Sequence, residues 1–125
     1  MNIAELAKNG KFVVTAEVGP PKGVNVQEIL DDAEVMRGRV NVINVTDQQS
    51  SVMRLGSLAV CRLLKEKGLE PAIQMTCRDR NRIALQSDLL SAHVLGIENV
   101  LCPFNIQQIL AISLNYPKYT PNQEF

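Results

Sequence analysis

The feature that most constrains this chain is a regular alternation of short apolar runs with longer helical patterns. Four runs of β-forming residues begin at residues 11, 40, 71 and 99, a spacing of about 30 residues. Their sequences are KFVVTAEV (residues 11–18), VNVINVT (40–46), PAIQMTC (71–77) and NVLC (99–102). Strands that alternate with helices of this length are joined by right-handed crossovers and pair in parallel. The pattern therefore predicts a β-α-β-α-β-α-β unit with one parallel sheet.

Each segment between the runs has a polar residue near its start and a glycine after its end. Polar residues at a helix start accept hydrogen bonds from free backbone N–H groups, and glycine tolerates the left-handed backbone that ends many helices. The predicted N-caps are Asn25, then Ser50 or Ser51, then Asp79 or Asn81, and the predicted terminating glycines are Gly38, Gly68 and Gly96. We therefore predict three helices between the four strands.

Two architectures have this alternation, a doubly wound open sheet and the first half of an eight-fold β/α barrel. In each of the first three runs, alternate residues on one side turn polar toward the carboxyl end, as Glu17, Thr46 and Gln74 do. A doubly wound sheet is covered on both faces and favours continuous apolar strands. A barrel instead collects polar inward side chains at the carboxyl ends of its strands. We therefore predict an α/β fold, the first half of a (β/α)8 TIM-type barrel.

The predicted half barrel spans residues 1–102 and is followed by an atypical tail, residues 103–125. A complete barrel of this kind takes about 250 residues, whereas this chain has 125. The tail has no clear period and no capping pattern.

Charge and hydropathy narrow the classes of function. Thirteen basic residues balance thirteen acidic ones, and aromatic residues make up only 4% of the chain. Nucleic acids and anionic membranes are bound through positive fields, and single strands also through aromatic side chains. The chain has no apolar run of about 18 residues and no signal-peptide pattern at its start. We therefore expect a cytoplasmic protein without nucleic-acid or membrane partners.

The common motifs of metal, disulfide and nucleotide chemistry are missing from the sequence. Cys61, Cys77 and Cys102 have no CxxC or CxH spacing, so we expect buried thiols in a reducing compartment and no metal site. Neither GxGxxG nor GxxxxGK[ST] occurs, and neither GxSxG nor HExxH does. Rossmann-type dinucleotide binding, P-loop hydrolysis and serine-nucleophile chemistry therefore have no support.

Candidate site residues lie where the first three strands end. Glu17 precedes the rigid Gly-Pro-Pro-Lys-Gly turn of residues 19–23, and it suits a general acid or base at a barrel mouth as well as an ordinary surface ion pair. Thr46 opens a polar loop that offers either ligand contacts or helix caps. Gln74 carries an amide inside a strand, and that amide needs a partner, supplied by a ligand or by Asn44.

Three arginines follow the third strand, in the stretch Cys77-Arg78-Asp79-Arg80-Asn81-Arg82. Guanidinium groups gathered at a barrel mouth suit an anionic ligand or an acidic partner. The alternative is a solvated helix start, capped by Asp79 or Asn81. The sequence leaves both interpretations open.

Three stretches resemble the methylenetetrahydrofolate reductase family, notably its forms from anaerobic bacteria. They are TAEVGPPKG, NVTDQQSSVMRL and QMTCRDRNRIALQSDLL with the following LGIENVL. The resemblance covers about residues 10–101, most of the patterned region. It implies a β/α barrel that carries FAD and reduces 5,10-methylenetetrahydrofolate to 5-methyltetrahydrofolate. The implied partners are the folate substrate and an electron donor, either NAD(P)H or an electron-donor protein.

The resemblance also implies roles for three residues. Glu17 matches the family's general acid, which helps to open the methylene bridge to an iminium that accepts hydride from reduced flavin. Thr46 matches a threonine that contacts the flavin at the end of the second strand. Gln74 matches a position beside the flavin ring that is often histidine in relatives.

The resemblance ends at residue 102. The family continues its fourth strand with Leu-Thr/Arg-Gly-Asp, whereas here Leu101-Cys102 is followed by Pro103-Phe104-Asn105. If the codons for residues 110–119 are chosen freely, the same bases can be read in a second frame that starts at the last base of the Leu110 codon. This second frame encodes Gly-Asp-Gln-Pro-Glu-Leu-Ser-Lys-Val-Tyr, which is similar to a segment of the family. We therefore hypothesise a change of reading frame between residues 102 and 110. A truncated chain of this kind is expected to have little or no reductase activity alone. The alternative is a non-catalytic half-barrel module that assembles with itself or with a partner.

Overall fold

The computed structural model describes residues 1–103 of the chain. The proposed frame change and all but the first residue of the predicted tail lie outside the described residues. The elements in chain order are α1 (Ile3–Lys8), β1 (Thr15–Val18), α2 (Gln27–Val35), β2 (Val42–Val45), a short 3-10 helix (Gln49–Ser51), α3 (Ser57–Glu66), β3 (Pro71–Gln74), α4 (Arg82–Val94) and β4 (Asn99–Leu101). The predicted strand–helix alternation is confirmed, with shorter strands than the apolar runs suggested.

The four strands form one parallel sheet in the sequential order β1-β2-β3-β4. One row across the sheet joins Glu17 to Asn44, Asn44 to Ala72, and Ala72 to Asn99. A doubly wound sheet reverses its strand order at a switch point. The order here does not reverse over the described residues, so the fold is the first half of a TIM-type barrel.

The core lies between the sheet and the helices that cover it. Ile43, Val45 and Ile73 face this layer from β2 and β3, and Val60 and Leu64 face it from α3. All five are at most 1% exposed. Ile43 and Val45 are two positions apart and therefore lie on one face of β2, opposite to the face of Asn44. Val60 and Leu64 are four positions apart and share one side of α3, which packs against this face of the sheet.

The helix α1, which the sequence did not indicate, lies at the amino ends of β3 and β4. Asn99 accepts a hydrogen bond from the Ile3 amide at 2.9 Å and donates to the Met1 carbonyl at 2.8 Å. The Met1 ammonium group lies 2.9 Å from both Glu70 and Glu98, and its hydrogen bond to Glu70 raises its pKa above the usual value. These contacts fix the end of the sheet that faces away from the predicted site.

The predicted N-cap is confirmed at one of the three helix starts and lies one residue too early at a second. Asn81 caps α4 by accepting from the Ala84 amide, and Asn25 accepts from the Gln27 amide one residue before the cap of α2. The expectation that Ser50 or Ser51 caps the second helix is wrong. Both serines have positive φ angles, and α3 begins only at Ser57. All three predicted terminating glycines have positive φ, as expected.

The three cysteines differ in exposure. Cys61 lies on the buried side of α3, and burial raises the pKa of its thiol to about 12. Cys77 is half-buried, whereas Cys102 is exposed, so the expectation of a buried thiol is wrong for Cys102. Within residues 1–103 the three thiols are free, and no cluster of His, Cys, Asp and Glu is arranged to hold a metal. No helix in this part of the chain has the length and apolarity to cross a membrane.

Candidate functional site

The carboxyl ends of the strands bring Glu17 and Gln74 into contact. The Gln74 Nε2 donates a hydrogen bond to the Glu17 Oε2 at 3.0 Å, although β2 lies between their strands. Both side chains point to the face of the sheet away from the helices, and Glu17 is exposed while Gln74 is half-buried. The predicted partner for Gln74 within the protein was Asn44, and the structure gives Glu17 instead. A carboxyl group and a carboxamide therefore share one open position at this edge.

Thr46 lies directly after β2, between the strands that carry the other two residues. Its amide donates to the Val18 carbonyl at 3.0 Å, and the residue is only 4% exposed. Its Oγ1 is buried and has no hydrogen-bond partner among the described residues. A buried hydroxyl without a partner costs free energy that a bound ligand with a polar group can recover. Thr46 is therefore the strongest indication of a ligand at this edge.

Gly19 presents no side chain toward the Thr46 hydroxyl. A Cβ atom at this position would lie 3.6 Å from Thr46 Oγ1 and 3.5 Å from the Gln49 side-chain oxygen. These are ordinary contact distances, so a side chain here would fill the space rather than clash with its walls. The following turn is held in place, because Arg54 donates to the Pro20 carbonyl at 3.1 Å and the Leu55 amide donates to the Pro21 carbonyl at 2.8 Å.

The loop after β2 is held in an unusual backbone conformation. Gln48 has a φ of 46°, in the left-handed region that costs a residue with a side chain about 1–2 kcal/mol. Its side chain compensates by accepting from the Arg54 amide at 2.8 Å and donating to the Arg54 carbonyl at 3.1 Å. Arg78 adds a hydrogen bond to the Gln48 carbonyl at 3.0 Å. Strain that is held by several contacts in this way is common around functional sites.

Arg78 and Arg80 bind groups of the protein itself. Arg78 pairs with Asp79, and Arg80 binds Asp47 through two nitrogens and Asp88 at 3.0 Å. The hydrogen bond to Asp47 raises the pKa of the Arg80 guanidinium further above its already high value. Arg80 is therefore engaged by carboxylates of the protein itself, and anion binding by the arginine-rich stretch stays a prediction. The helix start is confirmed through Asn81, and Arg82 is the exposed first residue of α4.

Two contacts near the site were not foreseen from the sequence. The carboxylate of Asp47 accepts from the Thr76 amide at 2.8 Å, in addition to its bonds from Arg80. The buried Ser57 hydroxyl donates to the Gln74 carbonyl at 3.0 Å and so fixes the end of β3. The sequence does contain a signal for the pair of Asp47 and Arg80, namely an acidic residue soon after β2 and a basic residue soon after β3. The carboxyl ends of these two strands are neighbours in a parallel sheet, so the two residues lie close together.

The half-buried Cys77 thiol follows Thr76 at the same edge. Burial raises its pKa, and the positive charge of Arg80 partly opposes this effect. The thiol is therefore mostly protonated near neutral pH and is a poor nucleophile there. At this edge Glu17 offers a carboxyl group, Gln74 a carboxamide and Thr46 a hydroxyl to a polar ligand.

The comparisons with known proteins bear on this part of the chain. A family model described as methylenetetrahydrofolate reductase matches residues 2–102. The matched range contains all four strands and every residue of the site described above. No curated protein matches the chain.

Proposed function

The chain belongs to the methylenetetrahydrofolate reductase family, and from that premise we propose that its site takes part in the flavin-dependent reduction of 5,10-methylenetetrahydrofolate to 5-methyltetrahydrofolate. Membership places the chain in a family of folate-related oxidoreductases. The proposal for this chain rests above all on Thr46, whose buried hydroxyl has no partner within residues 1–103 and lies at the same edge as the Glu17–Gln74 pair.

The residues at this edge suit a flavin. The polar edge of the flavin ring carries both carbonyl oxygens and an N–H group, so it needs acceptors and donors in the protein. The Thr46 hydroxyl and the Gln74 carboxamide each offer both kinds of group, and Gly19 presents no side chain toward Thr46. We assign Thr46 and Gln74 to binding FAD, and the bound cofactor supplies the hydride.

Glu17 has the role of general acid in this proposal. Its carboxyl group holds a proton on the open face of the sheet and passes it to N10 of the folate. The bond between the methylene carbon and N10 then breaks, and its electron pair stays on N10. The carbon left on N5 becomes an iminium carbon, which hydride converts to the methyl group. The hydrogen bond from Gln74 at 3.0 Å holds the carboxyl group in one orientation while the substrate binds.

FAD titration of the 125-residue chain tests the binding part of the proposal. We expect Thr46→Val to weaken FAD binding by about 5- to 20-fold, because the variant loses one buried hydrogen bond to the ligand. Thr15→Val is the matched control, since Thr15 is an exposed threonine at the start of β1. The proposal is wrong if the wild-type chain does not bind FAD, or if the two variants bind it equally well.

A single-turnover experiment tests the role of Glu17. In the reverse direction 5-methyltetrahydrofolate reduces bound FAD, so the oxidised-flavin absorbance falls. One turnover can be followed for hours, which suits a site that is open to water and is expected to be slow. We expect Glu17→Gln to bind FAD like the wild type and to slow the reduction by about 100-fold or more. Equal rates in the two proteins would remove Glu17 from the reaction.

A further inference from the structure

Asp47 is a buried carboxylate at the edge that carries the proposed site. Its side chain is 0% exposed. It accepts hydrogen bonds from the Thr76 amide at 2.8 Å and from both terminal nitrogens of Arg80. A buried carboxylate is stable only when charged and polar groups surround it in this way. Asp47 therefore depends on Arg80, which lies 33 residues further along the chain.

Arg80 connects three elements through one guanidinium group. Besides Asp47 in the loop after β2, it donates to the Thr76 carbonyl beyond the end of β3 at 3.0 Å and to Asp88 in α4 at 3.0 Å. The planar guanidinium can serve acceptors in these separate directions at once. A lysine at this position has one nitrogen and reaches only part of this set. The charge is used inside the fold and is not presented to a ligand.

This connection acts on Thr46, the residue directly before Asp47. On the β1 side, the Thr46 amide is bonded to the Val18 carbonyl at 3.0 Å. On the β3 side, the adjoining Asp47 carboxylate is bonded to the Thr76 amide and to Arg80. The backbone of Thr46 is thus fixed from both neighbouring strands. A fixed backbone limits the side-chain rotamers of a β-branched residue, and with them the direction of the hydroxyl.

We propose that Arg80 and Asp47 are positioning residues for the ligand site, and that they act by holding the Thr46 hydroxyl in the direction that meets the ligand. The proposal rests on the proposed function for the identity of the ligand, FAD. Neither Arg80 nor Asp47 contacts the ligand in this arrangement. The arginine that follows β3 therefore affects ligand affinity through Thr46 and not through its own charge.

The test compares Arg80→Lys with Arg62→Lys in the full 125-residue chain. Arg62 is a suitable control because it pairs with Glu66 on the exposed side of α3, away from the site. NMR three-bond couplings of Thr46 report its χ1 rotamer without any ligand. We expect one rotamer in the wild type and in Arg62→Lys, and averaged couplings in Arg80→Lys. Unchanged couplings in Arg80→Lys overturn the proposal, whether or not FAD binds.

FAD affinity then distinguishes action through Thr46 from a general loss of order. We expect Arg80→Lys to weaken FAD binding by about 2- to 10-fold, because at most the hydrogen bond of Thr46 is lost, and the double variant Arg80→Lys/Thr46→Val to bind no more weakly than Thr46→Val alone. Affinity losses that multiply in the double variant overturn the proposal. A wild-type chain that does not bind FAD contradicts the proposed function, and the couplings of Thr46 still decide the positioning role. Thermal unfolding curves confirm that every variant is folded at the temperature of the titration.

Discussion

Asn99 shows how one buried side chain holds the end of the sheet opposite the site. It is 6% exposed, accepts from the Ile3 amide, and donates to the Met1 carbonyl and to Glu70. We expect Asn99→Ala to lower the free energy of unfolding by about 2–3 kcal/mol, because it leaves several polar groups at this end without partners. Urea unfolding measures the change.

Asn25→Ala is the matched control for this prediction. Asn25 is exposed and makes a single bond of 3.2 Å to the Gln27 amide. We expect its replacement to cost no more than about 1 kcal/mol. If both variants lowered the free energy of unfolding equally, the contacts between Asn99 and the α1 segment would not stabilise the fold.

At the residue scale, the sequence predicted where the site residues lie better than it predicted what they contact. Period-two alternation places Glu17, Thr46 and Gln74 on one face of the sheet, and the structure agrees. The contact between Glu17 and Gln74 depends on how two non-adjacent strands are staggered, which no local pattern contains. The sequence also does not identify the partner of Arg80, because a guanidinium near a barrel mouth can bind either a ligand or a carboxylate from another loop.

At the scale of single elements, α3 has the most strongly buried helix face. Val60, Cys61 and Leu64 are all 0% exposed, at the spacing that one helix side presents to the sheet. We expect Leu64→Ala to lower the free energy of unfolding by about 2–5 kcal/mol, since it removes apolar contacts and leaves a cavity. Ile83→Ala in α4 is the control, because Ile83 is 69% exposed. A comparable loss from both variants would contradict the assignment of the core to this side of the sheet.

The missed start of α3 has a physical cause in the segment before it. A serine before an apolar helical pattern normally indicates an N-cap. Here Leu55 and Arg54 are bonded to Pro21, Pro20 and Gln48, so the chain stays irregular until Ser57. The contacts with Pro20 and Pro21 come from a loop that is 34 residues away in sequence. The sequence could therefore predict that α3 exists but not where it begins.

The same segment gives a second prediction at this scale. Ser50 has a φ of 61°, which favours glycine over a residue with a side chain. We expect Ser50→Gly to raise the free energy of unfolding by up to about 1 kcal/mol. Ala33→Gly is the contrasting variant, because Ala33 lies within α2 and a glycine there costs about 1 kcal/mol or more. Urea unfolding measures whether the free energy of unfolding rises in Ser50→Gly and falls in Ala33→Gly. A decrease in Ser50→Gly would contradict the backbone conformation of this loop.

At the scale of the whole molecule, the topology followed from the sequence because each strand–helix–strand crossover is a local unit. Three right-handed crossovers in succession leave few arrangements other than a sequential parallel sheet or a doubly wound one. The polar residues at the carboxyl ends of the strands then favoured the barrel, and the order β1-β2-β3-β4 confirms it. The placement of α1 could not be predicted, since it depends on Glu70 before β3 and on Asn99 in β4, both far from α1 in sequence.

The outer strands of the described sheet predict self-association of the 125-residue chain. Over residues 1–103, β1 pairs only with β2 and β4 pairs only with β3, so each has one edge of backbone groups without a strand partner. Val14, Val100 and Leu101 are more than 40% exposed at these edges. Unpaired edges with apolar side chains favour pairing with another chain. We expect a second copy to pair its β1 with β4, and sedimentation to give a mass above the 13.8 kDa of one chain.

Leu101→Lys and Val94→Lys separate edge pairing from general hydrophobic association. Both variants place a charge at an exposed apolar position, since Leu101 is 44% exposed in β4 and Val94 is 82% exposed in α4. A lysine on an edge strand opposes strand addition, whereas one on a helix surface does not. We expect Leu101→Lys to shift the chain toward 13.8 kDa and Val94→Lys to leave the association unchanged. A monomeric wild type, or an equal effect of the two lysines, would show that the edges of this sheet do not pair.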